Sequence, residues 1–297
     1  VSSFLTIQEG CDKFCKFCVV PYTRGKEFSR SINELVHEAK QLVSNGSKEI
    51  TLLGQNVNAY DYDGKKLSDL ILEIAKINEL KRIRYTTSHP RDFTEDLIQV
   101  HKNCKKLMPL IHLPVQSGSN KILENMNRKH TVEEYYQITE QLKKANSNIK
   151  LSSDFIIGYP GETHEDFQRT LELMKKVKFI NSYSFIFSAR PGTPSFDLER
   201  IDDDVAKKRL ITFQTLANKI KTDYRKTLLS KIIPVLFENK TREVNKYFGR
   251  DESYNSVIVE SNENLIGKIK NIKIIEINQN TLFGIIISNL NHKNYAA

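Results

Sequence analysis

Apolar positions along this chain follow two alternating rhythms. Short runs at 4–8, 49–53, 82–86, 110–114, 151–157 and 182–187 are compact or alternate with polar residues, and predict strands. Between them, 32–43, 67–77, 95–101, 132–145, 164–177 and 204–228 place apolar side chains three and four apart, which predicts helices with one buried stripe. Strand–helix alternation implies a parallel sheet covered by helices, because parallel neighbours need a long crossover. Six such units suit a partial barrel better than a closed eight-fold one, and place functional loops at the C-terminal strand ends.

The rhythm changes near Leu229. Runs at 232–237, 256–259, 265–277 and 281–287 are β-rich and lack helical spacing, with turn residues between them at 248–251 and 278–280. They predict a small antiparallel barrel or sandwich over 229–290, after an α/β core over 1–228 and before a frayed tail at 291–297. The sequence contains no internal repeat and no low-complexity segment.

Charge and cysteine usage narrow the function. The formal net charge of +9 favours a polyanionic partner, nucleic acid first. No apolar run approaches the ~20 residues of a membrane span, and the opening Val1-Ser2-Ser3-Phe4-Leu5 is no signal peptide. Three of the four cysteines are clustered, which speaks against a disulfide framework and for a reducing cytoplasm. Cys104 stands alone in a helical pattern and reads as a solitary structural thiol.

The cluster itself is Cys11, Cys15 and Cys18, a C-x3-C-x2-C array just after the first strand. Three thiolates on one loop can hold three irons of a 4Fe-4S cluster and leave the fourth iron open, whereas electron-transfer clusters and structural zinc sites are closed by four ligands. The cofactor that suits an open iron is S-adenosylmethionine (SAM), whose amino and carboxylate groups can chelate it. Reductive cleavage then releases a 5′-deoxyadenosyl radical, chemistry the cofactor carries while the protein positions it. The alternative is a zinc knob completed by His37 or Asp12.

Past Cys18 the loop continues as Val19-Val20-Pro21-Tyr22-Thr23-Arg24-Gly25-Lys26-Glu27-Phe28-Ser29-Arg30. With the cysteines it resembles the radical-SAM methylthiotransferase family, in the form of its MiaB-type tRNA branch. Segments 53–60, 84–90 and 112–119, Asp154 through Glu162, and 188–194 resemble further family elements in order, with Ala189 where Pro is frequent. Gly249-Arg250-Asp251-Glu252 and Gly267 resemble the TRAM domain, a small RNA-binding β-barrel.

The resemblance implies a radical-SAM partial (β/α)6 barrel followed by a TRAM-like barrel, acting as a tRNA methylthiotransferase on C2 of the isopentenylated adenosine 3′ of the anticodon. Related substrates in the family are threonylcarbamoyl-adenosine tRNA and a ribosomal protein; a rival is an RNA-binding remnant that binds a cluster without turnover. It implies Phe17 beside the adenosyl group, and Gln116, Ser117, Ser119, Arg24 and Arg30 as SAM contacts. Gln55, Asn56, Arg190 and Arg250 are candidate RNA contacts, and no catalytic side chain is implied beyond the cluster and SAM. Structural alternatives stand beside these roles: loop packing for Phe17, pairing of Arg24 or Arg30 with Glu27 or Glu34, a capped turn at Gln55 and Asn56, and a helix N-cap at Ser119. Expected partners are tRNA and an external electron donor such as flavodoxin or ferredoxin, with the chain a cytoplasmic monomer. Full-length relatives carry an additional N-terminal domain with three more cysteines for an auxiliary cluster, the expected sulfur source. These 297 residues hold only Cys104 outside the array, so SAM cleavage without methylthio transfer is expected of them alone.

Overall fold

The structure, a computed structural model, describes residues 1–287. The expected tail at 291–297 and the last residues of the expected 229–290 barrel lie outside them. Six parallel strands carry the first part: β1 (Ser2–Thr6), β2 (Glu49–Leu53), β3 (Arg82–Tyr85), β4 (Leu110–His112), β5 (Lys150–Ile157) and β6 (Asn181–Ile186). They form two three-stranded sheets, β1-β2-β3 and β4-β5-β6. A parallel bridge between Ile83 and Leu107 joins the two, so the strands stand in chain order as an open six-stranded arc. This is the partial barrel expected from the alternation.

Each strand is followed by a helix that covers the arc: α1 (Ile32–Ser44), α2 (Leu67–Ala75), α3 (Glu95–Asn103), α4 (Val132–Ala145), α5 (His164–Val177) and α6 (Asp203–Lys226). The helices start where side chains can satisfy their free amide groups. Ser31 Oγ caps Glu34 N in α1, while Thr131 with Glu134 and Thr163 with Asp166 form capping boxes at α4 and α5. The strand–helix interfaces form two apolar cores. Leu5, Ile50, Leu52 and Ile83 pack with Leu35, Ile71 and Leu97 in the first half. Ile111, Leu151 and Phe155 pack with Tyr135, Leu171, Met174 and Phe213 in the second. Cys104 packs, half-buried, against the first core, in keeping with a structural thiol.

The second compact unit begins at Thr222, inside α6 and ahead of the expected 228/229 junction. Its helical residues belong with it because Arg225 is buried and donates to the carbonyls of Asn278, Gln279 and Asn280. Strands β7 (Ile232–Lys240), β8 (Lys246–Arg250), β9 (Ser256–Glu260), β10 (Ile269–Ile277) and β11 (Thr281–Ile286) close into a barrel in the order β7-β8-β9-β11-β10. Two expectations are corrected. The barrel is not wholly antiparallel, since β9 and β11 pair in parallel to close it. Gly249 and Arg250, expected in a turn, end β8, and the turn follows at 251–255, where Asp251 accepts from Asn255 N and Nδ2.

Candidate active site

The three cysteines lie on the loop after β1, at the C-terminal end of the arc where parallel strands gather functional loops. The loop enters through Gly10, whose φ is +75° and whose added Cβ would meet the Lys26 carbonyl oxygen at 2.0 Å. Side chains from neighbouring strand ends hold it. Gln8, fully buried, donates to the Gly10 carbonyl and accepts from Asn56 N, while Gln55 Oε1 accepts from Gly10 N at 2.7 Å. Asn56 Nδ2 donates to Asp92 at 2.7 Å and to Glu27 at 3.3 Å, and Glu27 also accepts from Asp12 N. Lys13 Nζ pairs with Asp92 at 2.8 Å. From the other side, Lys16 N donates to the Met126 carbonyl, Asn127 Nδ2 to the Phe14 carbonyl, and Ser195 Oγ to the Lys16 carbonyl. Loops after β2, β3, β4 and β6 thus converge on the one that bears the thiols.

Burial pushes the Cys11 thiol up to about 11, with Glu27 and the other two cysteines adding to the rise; burial also raises Cys18. That mutual influence places the three sulfurs within electrostatic reach of one another. Yet no three His, Cys, Asp or Glu side chains among the described residues converge closely enough to hold a single ion. A zinc ion needs its ligands at about 2.3 Å from one centre, whereas an iron–sulfur cluster takes one thiolate per iron and spreads them. His37, weighed as a fourth zinc ligand, is exposed on α1 and hydrogen-bonded to Gln41. The donor set fits a three-thiolate cluster, whose ligation requires the thiol protons to leave.

The remaining expected residues fall into place unevenly. Phe17 packs on Tyr159, Phe187, Ile122 and Met126, so loop packing accounts for it. Arg24 and Arg30 diverge: Arg24 is exposed, while Arg30 donates to the Thr6 carbonyl and to Glu38 at 2.6 Å, not to Glu27 or Glu34. Gln116 is buried with φ +77°, a strained backbone of the kind that gathers at functional sites. Ser117 and Ser119 are buried against α5. Ser119 makes no side-chain cap; its hydroxyl donates to Asp166 at 2.7 Å, and Ser117 Oγ accepts from Ser119 N. Asn56 is only 2% exposed and, with Gln55, is hydrogen-bonded into the thiol loop, the held turn weighed as the structural alternative for both. Arg190 is exposed. In the second unit Arg250 lies 4.1 Å over the Tyr254 ring and 5.1 Å over Phe248, with Glu238 3.5 Å away.

The structure gives contacts to residues for which the sequence assigned no individual role. Asp92 and Lys13 lock the loop, and Glu162 bonds Gly158 N and Arg209 at 2.7 Å to fix the Gly-rich turn after β5. Arg128 is buried with Nη1 3.5 Å from Cys15 Sγ and Nη2 on the Pro114 carbonyl. His89 and His130 stack edge-on nearby at 5.7 Å, and burial together with the Arg128 charge lowers both imidazoles, His130 to about 4. A faint signal lay in the sequence: Arg128 and His130 fall in the loop just ahead of a strongly capped helix.

An arc of six parallel strands with three thiols on the loop after the first defines a cluster-bearing (β/α) barrel. Residues 5–174 match the radical SAM superfamily and 226–287 the TRAM domain, and the chain belongs to the radical SAM superfamily. Among its curated relatives are proteins named tRNA-2-methylthio-N(6)-dimethylallyladenosine synthase. That of Pelagibacter ubique (strain HTCC1062) is 59% identical over 96% of this chain and 65% of its own length. That of Wolbachia pipientis subsp. Culex pipiens (strain wPip) is 52% identical over 95% and 66%. The chain thus spans about two thirds of the length of these relatives. Among solved structures, the radical SAM methyltransferase TsrM from Kitasatospora setae superposes with a TM-score of 0.56 at 17% identity, over 65% of this chain and 38% of that one. Coproporphyrinogen III oxidase (HemN) from Escherichia coli gives 0.54 at 14% identity, over 97% and 72%. Both share the fold.

Proposed function

We propose that this chain binds one 4Fe-4S cluster through Cys11, Cys15 and Cys18, binds SAM at its open iron, and serves methylthiolation of C2 in the dimethylallyl (isopentenyl) adenosine of tRNA. The observation that carries it is the clamped three-thiol loop at the strand ends, in a chain 59% identical to a relative named for that reaction. When bound, the cluster–SAM pair supplies one-electron chemistry able to take hydrogen from an unactivated carbon, where acid–base catalysis has no handle. The chain's own contribution is to hold: Gly10, Gln55, Asn56 and Asp92 fix the thiol loop, and Gln116, Ser117, Ser119 and Phe17 are the proposed neighbours of SAM. Arg24, exposed on the loop, is the cation proposed to meet an anionic group of SAM or RNA, and Arg190 and Arg250 are candidate phosphate contacts. The electron donor is a flavodoxin or ferredoxin, and the setting is the cytoplasm. No helix among the described residues is long and apolar enough to cross a membrane. A monomer suffices, because the thiols and the loops that hold them come from one chain.

Anaerobic reconstitution should give about four irons per chain. Cys11→Ala, Cys15→Ala and Cys18→Ala should each abolish uptake while Cys104→Ala leaves it intact. With dithionite, SAM and isopentenylated tRNA, these 297 residues should release 5′-deoxyadenosine without 2-methylthio product, since one thiol outside the array cannot ligate a second cluster. Tightly bound zinc with no iron uptake would overturn the proposal. Several turnovers of methylthio-adenosine by the isolated chain would refute its account of the sulfur source.

A further inference from the structure

Arg128 presents an electrostatic problem. Its side chain is 5% exposed, and among the described residues it bonds to no carboxylate; its contacts are the Pro114 carbonyl and Cys15 Sγ, and its Nε has no partner. Burying a guanidinium without a counter-charge is strongly unfavourable, because the lost hydration is not repaid. The neighbouring imidazoles add no charge of their own, because burial and Arg128 itself keep His89 and His130 neutral. Among the described residues, the one side chain within hydrogen-bond distance of the Arg128 guanidinium is thus Cys15, through its sulfur.

We propose that Arg128 is a positioning residue that donates a charge-assisted hydrogen bond to the Cys15 sulfur and so sets the reduction potential of the cluster. Hydrogen bonds and positive charge near cluster sulfurs favour the reduced, more negative state, and burial strengthens that effect. The inference rests on the proposed cluster ligation by Cys11, Cys15 and Cys18. It differs from a role in gripping the SAM carboxylate, because it acts on the cluster before any SAM is present.

The test is the midpoint potential of the reconstituted, SAM-free cluster in the 297-residue chain, followed by electron paramagnetic resonance. Arg128→Gln should lower the potential, shifting the reduced-to-oxidised ratio at fixed potential about tenfold, equivalent to ~59 mV for one electron. Arg128→Lys, which keeps the charge, should restore most of the shift. Protein labelled with 15N-arginine should show a nitrogen hyperfine coupling to the reduced wild-type cluster, a readout that needs no variant to fold. An unchanged SAM-free potential in Arg128→Gln together with weakened SAM binding would assign Arg128 to the cofactor instead and overturn the proposal. So would the absence of the 15N coupling in a fully loaded cluster. Failure of the chain to take up iron at all would refute the ligation itself and is distinguishable from either result.

Discussion

Asp92 governs the thiol loop more directly than any residue between the cysteines. One carboxylate receives Lys13 from the loop and Asn56 from the second strand end, so its loss releases two anchors at once. Asp92→Asn removes the ion pair and turns an amide NH2 toward that of Asn56; an unmade buried hydrogen bond costs about 1–3 kcal/mol. The expected result is a melting temperature lower by a few degrees, about 2–4 °C per kcal/mol at this size, and faster loss of iron on dilution. Affinity for tRNA should stay as it was, and a selective loss of tRNA binding would instead restore the RNA role first expected of Asn56. At this scale the cysteines were legible because their spacing is chemistry in itself. Arg128 and Asp92 were not, since an arginine in a loop and an aspartate after His89-Pro90-Arg91 read as ordinary solvated side chains until their contacts are known. Arg30 shows the converse: a prominent motif residue that the fold pairs with Glu38 on α1.

Among the elements, α5 shows how a helix start can serve a site at one remove. Burial opposes ionisation of Asp166, but hydrogen bonds from Thr163 N, Ser119 Oγ and Thr163 Oγ1 outweigh it and hold the carboxyl down to about 2, against an ordinary 3.8. A carboxylate depressed on folding contributes stability that is full above its unfolded value and fades as pH falls through the folded one. The stability difference between wild type and Asp166→Asn should therefore be constant near neutrality and shrink between about pH 4 and pH 2. Denaturant unfolding at each pH measures it, and a difference independent of pH would show that Asp166 matters only as shape. Element types were mostly legible from period, because one buried stripe per helix and one buried face per strand are what packing demands. The missed strand was β8. Gly249 and Arg250 look like turn chemistry, yet glycine stands there because a Cβ would meet the Leu236 carbonyl oxygen at 2.5 Å in the neighbouring strand.

For the whole molecule, the separate core of the second unit, built on Val235, Phe237, Val257, Ile272 and Leu282, makes it removable in principle. Deleting residues from Lys231 onward should weaken tRNA binding and flatten its salt dependence, as phosphate contacts are lost, while SAM cleavage continues. Unchanged tRNA affinity would reduce the barrel to a cover. Chain order and handedness made the arc predictable, but the parallel closure of β9 on β11 was not, because it skips a strand and leaves no mark in local pattern. The arc also carries a crease. Its two halves pair through backbone bonds at one residue of β3 only, Ile83 N to Lys106 O and Met108 N to Ile83 O, where every other neighbouring pair shares a longer ladder, while α3 places Leu97 in the first core and Ile98 in the second. Backbone pairing along that line is thin, so the two halves are held there by the side chains of α3 and Phe93 more than by the sheet, like a book held by its cover more than by its stitching. Amide exchange should report it directly, with Ile83 and Met108 exchanging faster than Leu52 or Phe155 although all four are buried.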